Sequence, residues 1–328
     1  MTAKQISRLA LSLFMAILFV WLIARQINLD EFKKAFVGTT TLWVIAGIAA
    51  FSVGYSCRIE RWHLMLQRDN SSLRWTHCFG PFFASFAANN VLPFRAGDVL
   101  RAFAFNGRLG VSSGIVLATL FVERLLDLLM VLVLLGVVLA LSGLDISGFA
   151  GIGNATLVTV SVVILLVLLF PQLFAPVALV AGKLVARVTP KFGERLIAEI
   201  NKSLVTLAHL AKGSTMIKLV GWSVAVWLAE GCVFWFAALA LSSIASPAAG
   251  WLALPVGTLA TLIPSTPGYV GTFDYFTVRA MSALGNSVVA STAYALLVHA
   301  LLWLPPTLIG GLYLLLHPSK KINELKNL

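Results

Sequence analysis

The sequence predicts an all-α, polytopic membrane protein with six full transmembrane helices plus two re-entrant hairpins in an inverted-topology repeat. Three observations predict it. Of 328 residues, 59% are hydrophobic and only 11% are charged, more apolar surface than a soluble chain of this length can hide. Several apolar runs reach the roughly 20 residues that cross a hydrocarbon core. Two shorter apolar runs, one in each half, end in proline and glycine at matching positions, the pattern of broken membrane helices.

Taken in order, the spans run Ser7–Ala24, Thr41–Met65, Ser112–Leu141, Thr156–Phe174, Met216–Leu241 and Val288–Leu316. Lys4 and Arg8, before the apolar run Leu9–Ala24 of the first span, imitate a secretory signal. No small-residue cleavage motif follows, so this run is expected to be a retained helix. The two short runs are Phe79–Phe94, before Arg95-Ala96-Gly97-Asp98, and Trp251–Ile263, before Pro264-Ser265-Thr266-Pro267-Gly268. Neither is long enough to cross, so each is expected to be one arm of a re-entrant hairpin. Leu92-Pro93 matches Ile263-Pro264 in these two runs. Within a single membrane domain over 1–328, the first repeat half is 41–141 and the second is 216–316. Residues 178–212 are the longest polar stretch and carry apolar residues at helical spacing beside Lys and Arg. They are expected to form an amphipathic connector on the cytoplasmic leaflet.

Flanking charge sets the orientation. With the N-terminus inside, sixteen basic residues fall on the cytoplasmic side, against four (Arg25, Lys33, Lys34 and Arg279) outside. The excess of Lys and Arg belongs on the cytoplasmic face. A multi-pass protein of the cell membrane with both termini cytoplasmic is therefore expected. The formal net charge of +11 comes from short loops between apolar runs, not from one soluble face, which argues against nucleic acid and for anionic lipid. The three cysteines form no CxxC pair and the five histidines show no ligand-like spacing, so neither a metal nor another cofactor is expected.

Three clusters carry chemistry. The first spans Asn89 to Arg101, where Pro93 and Gly97 break one arm and begin another. A helix starting near Gly97 would offer its N-terminal N–H groups to an anion, with Arg95 and Arg101 adding forked hydrogen bonds to a phosphate and Asp98 pairing with Arg101 three residues on. The second is Glu123, Arg124 and Asp127 inside the third span. Ionisable groups there are costly unless paired or facing a wet cavity, and Arg124 is the expected counter-ion; an internal salt bridge and a direct substrate role both remain open. The third is Pro264, Pro267, Gly268 and Gly271, a bent hairpin tip before Asp274 in the first turn of the following helix. Glu230, alone in the fifth span, is a candidate counter-ion. Arg58, Glu60 and Arg61 beside Trp62 read most simply as interface anchors.

Taken together, Pro93-x-Arg95-x-Gly97-Asp98-x-x-Arg101, Glu123-Arg124-x-x-Asp127 and Pro264-x-x-Pro267-Gly268-x-x-Gly271-x-x-Asp274 resemble the transmembrane region of lysylphosphatidylglycerol synthases. Arg58-x-x-Arg61-Trp62 is similar too. The resemblance covers nearly the whole chain and implies a lipid-translocating role, with aminoacylated phosphatidylglycerol as cargo in the bifunctional members. No counterpart of their soluble aminoacyl-transferase domain is present, so lipid synthesis is not implied. Asp98 and Asp274 stand where Glu is more usual, and Tyr269 where a small residue is, which leaves the cargo open. Stand-alone relatives are associated with polyprenyl-linked glycans and hopanoids.

The resulting expectation is a lipid flippase or transporter, not an enzyme, moving a phospholipid or polyprenyl-phosphate type of lipid. Its substrate groups would be Asn89, Arg95, Asp98, Arg101, Glu123, Arg124, Asp127 and Asp274. The alternatives are a transferase or an accessory protein of lipid-linked glycan or envelope-lipid synthesis. A transferase would need a general base and commonly a carboxylate pair, which the linear sequence does not display. Homo-oligomer formation is left open.

Overall fold

The computed structural model describes residues 34–92, 95–143, 154–170, 175–176, 179–180, 190–263 and 267–317. The expected span at Ser7–Ala24, the breaks at Pro93 and Pro264, and part of the 178–212 connector lie outside the described residues. Among the described residues every regular element is helical: α1 (Thr41–Leu66), α2 (Trp75–Val91), α3 (Ala96–Phe103), α4 (Asn106–Leu109), α5 (Ser113–Ser142), α6 (Asn154–Leu169), α7 (Pro190–Leu210), α8 (Gly213–Ala240), α9 (Gly250–Ala260), α10 (Thr272–Ala283) and α11 (Val288–Leu316).

Four of these, α1, α5, α8 and α11, are 26 to 30 residues long and apolar enough to cross a membrane. At about 1.5 Å rise per residue they exceed a hydrocarbon core of about 30 Å. The expected span from Thr156 to Phe174 is corrected to a shorter apolar helix, α6, of 16 residues. Phe170 leaves the helix immediately before Pro171, where the proline ring disfavours helical geometry. The two short runs form α2 and α9, each followed by another short helix, α3 or α10.

The long helices start and stop at recognisable signals. Ser112 and Ser287 cap α5 and α11 by accepting from the N–H groups of Ile115 and Ala290, and Gly143 ends α5 with φ 65°; both devices satisfy backbone groups left open at helix ends. The buried face of α1 runs through Gly47, Phe51, Gly54, Tyr55, Arg58, Ile59 and Trp62, steps of one, three and four that form one helical stripe. That stripe packs along α8. Small residues bring other backbones close, as in membrane helices generally. A Cβ at Gly310 of α11 would strike the Phe83 carbonyl of α2.

The packing has a regular pattern. α1 lies on α8, α2 on α11, α9 on α5, α3 on α5 and α10 on α11, while α2 pairs with α3 and α9 with α10. Exchanging α1, α2, α3 and α5 for α8, α9, α10 and α11 returns the α1–α8 contact to itself and converts each of the other six into another of them. The amphipathic α7 docks on the start of α5, where Glu199 accepts from the Gly114 N–H at 2.6 Å and the Ser203 hydroxyl donates to the Gly114 carbonyl at 2.8 Å.

Candidate functional site

A cavity of about 410 Å³ opens among α1, α2, α5, α8, α9, α11 and the two hairpin tips. Its walls are mostly apolar and aromatic, including Tyr55, Phe86, Phe121, Trp227, Phe273 and Trp303, with a few convergent polar groups. That is the usual make-up of a ligand site. Of the expected site residues, Asn89, Arg95, Arg124, Asp127, Glu230 and Gly268 line it.

A network of ions lies beside and beneath the cavity. Arg61 donates to Asp127 at 2.9 Å and to the Ser223 hydroxyl at 2.8 Å. The Trp227 indole N–H also points at Asp127, at 3.3 Å. Arg58 donates to Glu230 at 3.0 Å and stands 3.6 Å from Asp127. Arg124 holds both oxygens of Asp98 at 3.0 Å, and Asn89 donates to the same carboxylate at 3.0 Å. Arg101 donates to Glu123 at 2.9 Å, with its guanidinium 4.8 Å from the ring centres of both Trp62 and Phe82. Removing charges from water is costly unless partners are this close.

Several expectations are corrected here. Asp98 pairs with Arg124, not with Arg101 three residues away, because Arg101 turns from α3 towards α5 and meets Glu123. Arg124 is therefore not the counter-ion of Asp127 or Glu123; Asp127 takes Arg58 and Arg61 instead. Arg101 is 0% exposed and Glu123 1%, and neither lines the cavity, so neither is placed to grip a ligand. Arg58 and Arg61 are buried parts of the network rather than interface anchors. Gly97 acts by close approach: its backbone N–H donates to the Asn89 side chain at 2.8 Å, and a Cβ there would strike the Ser85 carbonyl. Arg95, which precedes α3, lies in the left-handed region at φ 52°.

The two hairpin tips meet. Arg95 Nε donates to the Tyr269 hydroxyl at 3.1 Å. Among the described residues these are the two non-glycine positions with positive φ, 52° and 61°, a conformation that costs of order 1 kcal/mol or more and concentrates at functional sites. Pro267 opens the 3₁₀ turn that carries Gly268, at φ 71°, and Gly271, at φ 86°, precedes α10. Asp274 does not line the cavity. It caps α10 by accepting from the Gly271 N–H at 2.8 Å and touches His299, which does line the cavity, at 2.8 Å.

The charge balance is informative. Asp98, Glu123, Asp127 and Glu230 each sit against an arginine, which engages Arg58, Arg61, Arg101 and Arg124. Arg95 is the remaining cation of the cavity wall, and among the described residues it forms no ion pair. Arg58, Arg124 and Trp303 also line the cavity, and their Nε, Nε and Nε1 atoms are buried without a hydrogen bond among the described residues. Buried donors of this kind call for an acceptor. An arginine without an ion pair among the described residues, in an apolar and aromatic cavity, suits an anionic group on an apolar ligand.

His299 and Trp303 were not singled out by sequence. A lone ionisable residue within the apolar run 288–316 was the available signal; weighing the histidines only as metal ligands passed over it.

Comparisons with known proteins agree with the membrane architecture. The family model described as "Lysylphosphatidylglycerol synthase TM region" matches residues 6–310. Glycosyltransferase AglD of Haloferax volcanii is 28% identical over an alignment of 328 positions, covering 91% of this chain and 52% of that protein. The chain thus spans about half the length of the curated relative it matches. The relative's name overturns the expectation of a protein that is not an enzyme. Asp127 and Glu230, from different helices, both line the cavity, each within 4 Å of Arg58.

Proposed function

Because the chain belongs to the family of the lysylphosphatidylglycerol synthase transmembrane region, matched over residues 6–310, we propose that it is a membrane-embedded transferase component of lipid-linked glycan or envelope-lipid synthesis that holds a phosphate-bearing lipid in the central cavity. The observation that carries this reading is Arg95, the cavity cation that forms no ion pair among the described residues once Asp98, Glu123, Asp127 and Glu230 each have an arginine. Arg95 would take the phosphate, helped by the idle N–H groups of Arg124, Arg58 and Trp303, while the aromatic walls accept the apolar body of the lipid. The name of the Haloferax volcanii relative supports the glycan pathway and the transferase role. Asp127 and Glu230 are the carboxylates that reach the cavity for such a step.

The direct test is native mass spectrometry of detergent-extracted protein. A co-purifying phosphate-bearing lipid, lost in Arg95→Ala, is the expected result. A protein that retains only neutral lipid, or that retains the same anionic lipid without Arg95, would refute the site.

Translocation of the lipid is a second reading. It is supported by the exchange pattern in the packing, where α1–α2–α3–α5 and α8–α9–α10–α11 make equivalent contacts. That pattern suits two repeat halves, 41–141 and 216–316, with α2–α3 and α9–α10 as hairpins entering from opposite faces. Together with the sixteen-to-four bias of flanking basic residues, it supports a cell-membrane protein with both termini cytoplasmic. Scrambling of a fluorescent anionic lipid in reconstituted vesicles tests this reading; vesicles as tight as protein-free controls would rule it out.

A further inference from the structure

His299 is held by two acceptors at once. Its Nε2 donates to the Gly268 carbonyl at 2.9 Å, and its Nδ1 stands 2.8 Å from Asp274 Oδ1. A carbonyl oxygen only accepts, so Nε2 carries hydrogen. In a neutral imidazole the other nitrogen is then a lone pair, which would face a carboxylate. The contact needs one further proton, on Nδ1 or on the carboxyl. Asp274 has no spare freedom to turn away, because its second oxygen accepts from the Gly271 N–H at 2.8 Å.

These two contacts tie His299 to the tip that meets Arg95. Gly268 and Tyr269 are consecutive residues at φ 71° and 61°, and the Tyr269 hydroxyl accepts from Arg95. The charged and titratable groups that share the cavity with His299 are Tyr55 and Arg58 from α1, Arg124 and Asp127 from α5, and Glu230 from α8. Arg95 and Tyr269 complete the set from the two tips. The α2 and α9 walls contribute neutral groups, Asn89, Asn90, Thr258 and Thr261.

We propose that His299 is a positioning residue of the phosphate site, fixing the Gly268–Tyr269 tip through a proton shared with Asp274, so that anion binding is coupled to the protonation of this pair. The proposal rests on the anion reading above. With the proton in place the pair is neutral overall and both hydrogen bonds are made. When it leaves to water, the pair adds one negative charge beside the cavity and one ring nitrogen faces an acceptor without a hydrogen. Both changes weaken the hold on an anion.

The test uses the purified full chain and phosphatidylglycerol, a phosphodiester that keeps one negative charge throughout the range. Binding is measured from about pH 5 to about pH 9, the range in which histidine is the side chain suited to change charge. Wild-type binding should weaken by roughly tenfold or more with rising pH, equivalent to about 1.4 kcal/mol. His299→Gln and Asp274→Asn, each checked for thermal stability, should both bind with little pH dependence. If both variants misfold, wild-type protein alone suffices: calorimetry in buffers of different ionisation enthalpy should show proton uptake when lipid is added near the upper end of the range. A flat wild-type profile, a His299→Gln slope equal to that of wild type, or binding without proton uptake would overturn the role of His299 while leaving the anion site standing. No binding at any pH would overturn both.

Discussion

The Arg101–Glu123 pair gives the sharpest separation between a ligand-binding and a structural role. Both residues were expected to touch substrate, yet they are 0% and 1% exposed and 2.9 Å apart. Removing one partner of such a pair leaves an unpaired buried charge and typically costs about 3 to 5 kcal/mol, whereas replacing both with apolar residues of similar volume is close to neutral. Glu123→Leu should approach the upper figure, because Arg101 cannot shed its proton. Arg101→Met should cost less, since a buried carboxyl can protonate. The double variant should lie within about 1 kcal/mol of wild type, a coupling of at least about 2 kcal/mol when set against the sum of the single variants. Thermal unfolding in detergent reads this directly, at about 2 to 4 °C per kcal/mol for large chains. Lipid binding in the double variant should be intact. A double variant as unstable as the two single losses combined, or one that folds normally yet no longer binds anionic lipid, would show that Arg101 serves the ligand.

Arg95→Ala should weaken binding of a phosphate-bearing lipid by about 10- to 100-fold, the worth of a charged hydrogen bond of about 1.5 to 3 kcal/mol, with little change in melting temperature; an equal fall in stability would mark Arg95 as structural. Glu230→Gln frees Arg58 from its 3.0 Å partner, so a flotation assay with anionic vesicles should show tighter binding, and weaker binding would contradict the charge balance. Gly97→Ala places a methyl against the Ser85 carbonyl and should cost about 1 to 3 kcal/mol through overpacking, seen as a lower melting temperature; an unchanged transition would mean that α2 and α3 are not this close. Burial works to raise the Glu199 carboxyl, but the Lys202 ammonium and the Gly114 N–H outweigh it and hold the group below the ordinary glutamate range. A depressed carboxylate adds stability above its unfolded value that is lost as pH falls through the folded one. Melting temperature should therefore drop in that acid range, and Glu199→Gln should flatten the drop; an identical acid profile in the variant would exclude this contact as the cause.

The helices were legible because the signals for them are local. The runs that became α1, α5, α8 and α11 needed only length and hydropathy, which bilayer thickness makes decisive. The cavity residues Arg95, Arg124, Asp127 and Glu230 were legible for a related reason: an ionisable group in an apolar run, or beside its break, is too costly to be incidental. Hydropathy overestimated α6, where the stop at Pro171 was passed over.

Pairing was not legible. The sequence offered i, i+3 neighbours, Asp98 with Arg101 and Arg124 with Asp127, whereas the observed partners lie 22 to 172 positions apart. A residue's neighbours on its own helix share its face, but a buried ion takes the partner that an adjoining helix brings within about 3 Å, because in a poorly screening interior short distance outweighs nearness along the chain. By itself the sequence determined which four long segments are apolar enough to cross a membrane and which charges lie along them. Only the tertiary structure decided that Arg101 is locked away, that Arg95 forms no ion pair among the described residues, and that His299 reaches the tip beside it, since each depends on which helix faces meet.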